Sequence, residues 1–211
     1  GQRALIIGGS RGLGEVTSKI LAAGGARVIL SYHLGSEEAN EIVEQIIKGG
    51  GKAKCFPYDV LSPDSLPKEI FSDEWIPTHF YYFPTPLIFQ GQKNSFSATL
   101  YQEFCDFYVT GFFNTFQSIQ KLGDGLKGSF YPSSITIDEP SADMMEYAAA
   151  KSAGETLCAS LQNKYHNINI YSSRLPRTAT DQTNSLLSLE KKDPARLMLE
   201  NLRQFRDKEN T

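Results

Sequence analysis

The sequence predicts a doubly wound α/β fold: a parallel sheet of six strands with helices on both faces. Two observations carry this. Short β-branched runs alternate with amphipathic helical patterns along the whole chain, as right-handed βαβ crossovers require. Glycines punctuate the strand-to-helix turns, most densely at Gly8-Gly9-Ser10-Arg11-Gly12-Leu13-Gly14. Composition agrees: 211 residues, 40% hydrophobic, 21% charged and 11% aromatic, enough for a sizeable core.

Taken in order, Arg3 to Ile7 reads as a buried strand, and the following helix carries Leu13, Val16, Ile20 and Leu21 on one face before stopping at Gly24-Gly25. Arg27 to Ser31 is a second strand. Ser36 is expected to cap a helix with the stripe Ala39, Ile42, Val43, Ile46 and Ile47. Further strands are expected at 53–56, 79–83, 128–131 and 167–171, with helices at 63–71, 100–122 and 147–165 between them. No repeat or linker divides the chain, so residues 1–211 read as one domain. The start at Gly1, with a strand almost at once, reads as an excised module of a longer protein and leaves no room for a signal peptide.

The net charge of −3, without a basic block, argues against nucleic acid or an anionic membrane as partner. No apolar run reaches the ~18 to 20 residues of a membrane span. Cys55, Cys105 and Cys158 have no metal-type spacing and suit a reducing, cytoplasmic setting. His79 and His166 lack companions and read as structural; no metal is expected.

The glycine loop lies between a strand and a helix, where each glycine has a task. Gly8 permits the turn, Gly12 lets backbone approach a pyrophosphate, and Gly14 lets helix and strand pack closely. The helix N-terminus then offers N–H groups to phosphates. Downstream, Ser134 falls at the expected carboxyl edge of the sheet, and Tyr147 and Lys151 share one helix face. A lone YxxxK is commonly mere helix surface; the combination with Ser134 and the loop is what carries weight.

Gly8-x-x-x-Gly12-x-Gly14 resembles the TGxxxGxG loop of the short-chain dehydrogenase/reductase family, with Ile7 for its Thr, and the Ser134…Tyr147-x-x-x-Lys151 spacing resembles that family's catalytic set. The resemblance runs to residue 183 and is nearest to β-ketoacyl-carrier-protein reductases through Gly8–Gly14 and Ser31–Glu38. It implies a Rossmann-like fold and an oxidoreductase that reduces a ketone, a β-ketoacyl thioester or related carbonyl, with Tyr147 as proton donor. Lys151 would lower the phenol pKa and hold the nicotinamide ribose, and Ser134 would bind the substrate oxygen; Ser133 reads as structural. Implied cofactor contacts are Gly8, Ser10, Arg11, Gly12, Leu13, Gly14, Tyr32, His33, Asp59, Val60, Tyr147, Lys151, Thr178 and Thr180. Ser31-Tyr32-His33 supplies no carboxylate for a ribose 2′-OH, whereas Arg11 and His33 suit a 2′-phosphate, so NADP(H) is expected. By themselves Arg11 and His33 read equally as solvated side chains, and Asp59 as a turn former.

The family's pattern breaks at four places. Phe83-Pro84-Thr85 replaces its Asn-Ala-Gly, and Tyr108 falls where its catalytic Asn is usual. Leu175-Pro176 replaces its Pro-Gly, and its last strand is absent from the polar stretch 184–211, where Pro194 to Phe205 reads as a helix. These departures motivate the alternative of a catalytically weak nucleotide-binding module with a structural or regulatory role. The aromatic series from Phe80 to Phe116 reads as core plus a homo-oligomer face on the 100–122 and 147–165 helices, or else as a hydrophobic acyl site.

Overall fold

A computed structural model describes residues 1–62, 66–91, 95–176 and 193–209. Six parallel strands, β1 (Arg3–Ile7), β2 (Arg27–Tyr32), β3 (Lys52–Pro57), β4 (His79–Tyr82), β5 (Gly128–Ser134) and β6 (Asn169–Leu175), form one sheet in the order β3-β2-β1-β4-β5-β6. The order reverses between β1 and β4, and a crevice for ligand lies beyond their carboxyl ends.

Alternate residues of each strand feed two cores, as period-two side chains must. Ala4, Ile6, Val28, Leu30, Tyr81, Phe130 and Tyr171 face α1 (Gly12–Ala23), α2 (Ser36–Lys48) and α6 (Pro194–Glu209). Leu5, Ile7, Ile29, Phe80, Tyr82 and Tyr131 face α3 (Ala98–Cys105), α4 (Phe112–Gln120) and α5 (Met145–Lys164). The second core is aromatic. Phe80 stacks on Phe112 at 5.7 Å, and Tyr82 and Tyr131 meet the same ring edge-on at 5.3 and 4.9 Å.

The expected helix over 100–122 is one rod of three parts, because residues Asp106–Gly111 between α3 and α4 form a π-helical turn. Widening a turn frees carbonyls from the α-helical ladder. Two tyrosines of the sheet take them: the Tyr82 hydroxyl donates to the Phe107 carbonyl at 2.6 Å and the Tyr131 hydroxyl to the Tyr108 carbonyl at 3.1 Å. The sheet thereby holds the helix at the place where it departs from regularity.

Several sequence expectations are corrected. No α-helix forms over the described part of 63–71; Leu66–Phe71 is extended with a 3₁₀ turn at Lys68–Ile70, followed by another at Asp73–Trp75. Leu66, Ile70, Phe71 and Trp75 nonetheless cover that part of the sheet. Ser36 does not cap α2; Gly35 does, in the left-handed conformation (φ 87°), and Ser36 is the first helical residue. The α1 face is rotated from the expected one. Thr17 and Ser18 are its innermost side chains with Leu21, while Leu13, Val16 and Ile20 are half-buried. Both hydroxyls donate to the carbonyls one turn back, Leu13 and Gly14, at 2.7 and 2.8 Å, so small polar residues bring the helix close to the sheet without an unpaired group. Ile47 of the α2 stripe is 54% exposed. β5 runs on through Pro132 to Ser134; its pairing with β4 ends at Phe130 opposite Tyr81, so Pro132 costs no ladder bond on that side.

The C-terminal helix α6 closes the other face with Leu197, Met198, Leu202 and Phe205. His79 is buried and structural, as expected, with Nε2 at 2.8 Å from Glu209 of α6 and Nδ1 at 2.9 Å from Thr78. His166 is exposed. No described helix is long and apolar enough to cross a membrane.

Candidate active site

The strand-to-helix loop after β1 has the geometry of a phosphate cradle. Gly12 has φ of 57°, a region costly for any residue with a Cβ. A Cβ on Gly14 would run into the Gly8 carbonyl, so close packing of α1 on the loop requires glycine there. These two constraints leave bare backbone facing a cavity of about 890 Å³.

Most of the sequence-predicted cofactor residues line that cavity: Gly8, Ser10, Arg11, Gly12, Leu13, Gly14, His33, Asp59 and Val60. Tyr32 does not line it; half-buried, it packs into the core of α1 and α2, because β2 runs one residue further than expected and keeps this side chain in the sheet's alternation. Thr178 and Thr180 lie outside the described residues. Arg11 shares the space beside Gly35 with the Glu38 carboxylate, and His33 Nδ1 lies 4.0 Å from Asp59. Asp59 accepts the Leu61 N–H at 2.9 Å, which is the turn-forming role.

The second half of the wall is built by β5 and α5. Ser134 ends β5, and its Oγ accepts from the Thr136 hydroxyl at 3.0 Å. Tyr147 and Lys151, one turn apart on α5, are both buried and both line the cavity. Burial pushes the Tyr147 phenol above its ordinary pKa, and the Ser134 hydroxyl draws it part of the way back. The expected lowering by Lys151 is not seen. The reason is geometric: Lys151 Nζ donates to the Pro132 carbonyl at 2.7 Å and lies only 3.9 Å from the centre of the Tyr108 ring, but 5.8 Å from that of Tyr147. Burial brings Lys151 itself down to about 7.

Tyr108 is buried among aromatic rings at the cavity wall. It stacks on Phe104 (5.8 Å, 10°), meets Tyr147 edge-on (5.6 Å, 84°) and sets its hydroxyl 2.5 Å from Thr85 Oγ1. Thr85 thus ties the departure at 83–85 to the departure at 108. Phe104, Phe112 and Phe116 are core, while Phe107 is half-buried and lines the cavity with Ile88, Phe89 and Met144. Leu175 and Pro176 also line it. The sequence reading missed Tyr131 and Gly154. A glycine inside a helix, one turn beyond Lys151, was the available signal, since it costs about 1 kcal/mol against alanine unless something needs the space.

Residues 2–72 match the short chain dehydrogenase family. The chain is 38% identical over 65 residues to a 3-oxoacyl-[acyl-carrier-protein] reductase of Synechocystis, a segment covering 31% of this chain and 26% of that protein. It is 44% identical over 57 residues to a short-chain dehydrogenase/reductase homolog of Bacillus subtilis, covering 27% of this chain and 52% of that one. The matching segments thus span about a quarter to a half of those relatives. In three dimensions the likeness extends through the chain: a short chain dehydrogenase from Burkholderia cenocepacia, solved in complex with NADP, superposes with TM-score 0.77 at 20% identity over 95% of this chain and 88% of its own. An acetoin dehydrogenase from Enterobacter cloacae superposes with TM-score 0.84 at 16% identity, covering 100% and 91%.

Proposed function

We propose that this chain, which belongs through residues 2–72 to the short-chain dehydrogenases and takes their fold over its length, is an NADP(H)-dependent carbonyl reductase. One observation carries the reading: Ser134, Tyr147 and Lys151 meet on the wall of the same cavity that the glycine loop opens into. A β-ketoacyl thioester or related ketone is the substrate class, supported by the Synechocystis relative and by the apolar wall of Ile88, Phe89, Phe107 and Met144.

The cradle fits a dinucleotide. The loop 8–14 and Val60 would hold its adenosine pyrophosphate half, and Arg11 with His33 would meet a 2′-phosphate; the group supplies a hydride to the carbonyl carbon. The chain's own residues do the rest. Ser134 donates to the carbonyl oxygen as negative charge gathers there. Tyr147 gives that oxygen its phenolic proton, completing the alcohol and leaving a phenolate. Lys151 is fixed behind the phenol by the Pro132 carbonyl and, when protonated, favours that phenolate.

The second reading, motivated by Tyr108 in the space beside Lys151, is a nucleotide-binding module with little turnover. NADPH consumption over a panel of β-ketoacyl thioesters separates the two, with Tyr147→Phe as control; turnover that the variant loses supports the reductase. The single-domain span, a homo-oligomer through α3–α4 and α5, and a cytoplasmic setting belong to the same proposal.

A further inference from the structure

Lys151 is enclosed by rings. Its Nζ has the Tyr108 ring at 3.9 Å, Tyr131 at 5.1 Å and Tyr147 at 5.8 Å, and its hydrogen bond goes to the Pro132 carbonyl. Three elements of the fold interlock to make this enclosure. Tyr108 comes from the π-helical turn, Tyr131 from β5, and Tyr147 and Lys151 from α5. The Tyr131 hydroxyl fastens them, donating to the Tyr108 carbonyl. It reaches that carbonyl only because residue 154 of α5 is glycine: a Cβ there would run into the Tyr131 hydroxyl and lie 3.2 Å from the Tyr108 carbonyl. The Tyr131 hydroxyl therefore occupies the space that a Cβ at residue 154 would take. The other groups bearing on Lys151 are Glu155 and Cys158 of its own helix.

We propose that Tyr131 is a positioning residue for Lys151: by holding the Tyr108 carbonyl it keeps the Tyr108 ring over the Lys151 Nζ, in an aromatic cage open toward the cavity. So held, Lys151 acts on Tyr147 from a fixed position. This rests on the reading of Tyr147 and Lys151 as the reacting pair, but the cage itself is testable without turnover.

The test is the titration of the Lys151 Nζ, followed by nitrogen-15 NMR of the intact chain, in the unaltered protein and in Tyr131→Phe. Removing the hydroxyl keeps the ring but leaves the Tyr108 carbonyl in want of a donor, and water entering to supply one hydrates the ammonium. The expected result is a midpoint raised by one pH unit or more. Tyr82→Phe is the matched control, because it removes an equivalent hydroxyl from the neighbouring Phe107 carbonyl and leaves the Tyr131–Tyr108 hydrogen bond in place. A structural role alone would move both variants alike or neither, and either result overturns the proposal. Where the reductase is active, the limb of the kcat/KM pH profile belonging to Lys151 moves with the NMR midpoint in Tyr131→Phe. Reductase activity surviving in Tyr147→Phe would sink the catalytic reading alone and leave the NMR result standing.

Discussion

The amino-terminal βαβ unit and the carboxyl-terminal half of the sheet solve different problems with different materials. The first makes its site from backbone: Gly12 at positive φ, Gly14 where a Cβ cannot fit, and an α1 that approaches the sheet on Thr17 and Ser18. The second makes its site from side-chain volume, with Tyr108, Tyr131 and Tyr147 around Lys151. Backbone geometry of this kind tolerates few substitutions, since a misplaced Cβ blocks the ligand and the packing together. Volume can be filled in many ways. It is consistent that residues 2–72 match the family by sequence, while 95–100% of the chain matches solved structures by fold at 16–20% identity.

The largest expected effect tests the carboxyl-terminal half. Tyr147→Phe removes the proton donor and leaves the cavity wall in place, so turnover should fall by about 10²–10⁴-fold with cofactor affinity unchanged, measured by steady-state rates beside calorimetry. The amino-terminal half is tested by Arg11→Ala. One charge-assisted contact to a phosphate contributes about 1.5–3 kcal/mol, so the preference for NADPH over NADH should shrink by roughly ten- to a hundredfold. Equal affinity of the unaltered protein for both cofactors would refute the 2′-phosphate assignment, and with Glu38 beside Arg11 that outcome has a physical route.

Lys151 gives a pH dependence whose sign is fixed by its burial. Its folded pKa, about 7, lies below the ordinary 10.5, so between those values the unfolded chain binds more protons. Its contribution to stability is therefore full above pH 10.5 and is lost as the pH falls toward 7. Lys151→Met should erase this slope and raise stability at pH 7 by about 1–2 kcal/mol while abolishing turnover, read by denaturant titration at several pH values. A variant less stable than the parent at pH 7 would mean that the cage compensates fully for the buried charge. The smallest effect is expected from Tyr108→Phe. The ring keeps its place over Lys151, so kcat should change less than about threefold, and stability should fall by about 1 kcal/mol for the lost Thr85 contact. A tenfold fall in kcat would instead make the hydroxyl part of the proton path.

Hydrophobic period and glycine spacing were enough to read the six strands, their alternation with helices and the shared helix face of Tyr147 and Lys151, because those depend on local repeats of two and 3.6 residues; the family resemblance joined Ser134 to that pair. The same local signals failed where the deciding contact is distant in sequence. The α1 face turned toward Thr17 and Ser18 because the sheet admits only small side chains there. No α-helix formed over the described part of 63–71, where a few apolar residues around two 3₁₀ turns already cover the sheet. Tyr32 was assigned to a cofactor but stays in the core, because the length of β2 is set by its pairing with β3 out to Pro57. The family resemblance put Tyr108 beside Tyr147 and Lys151; only tertiary structure brought Tyr131 and Gly154 to them. A hydroxyl from a strand, a carbonyl from a widened helical turn and a missing Cβ on another helix meet at one point, and no periodicity within any single element records that meeting.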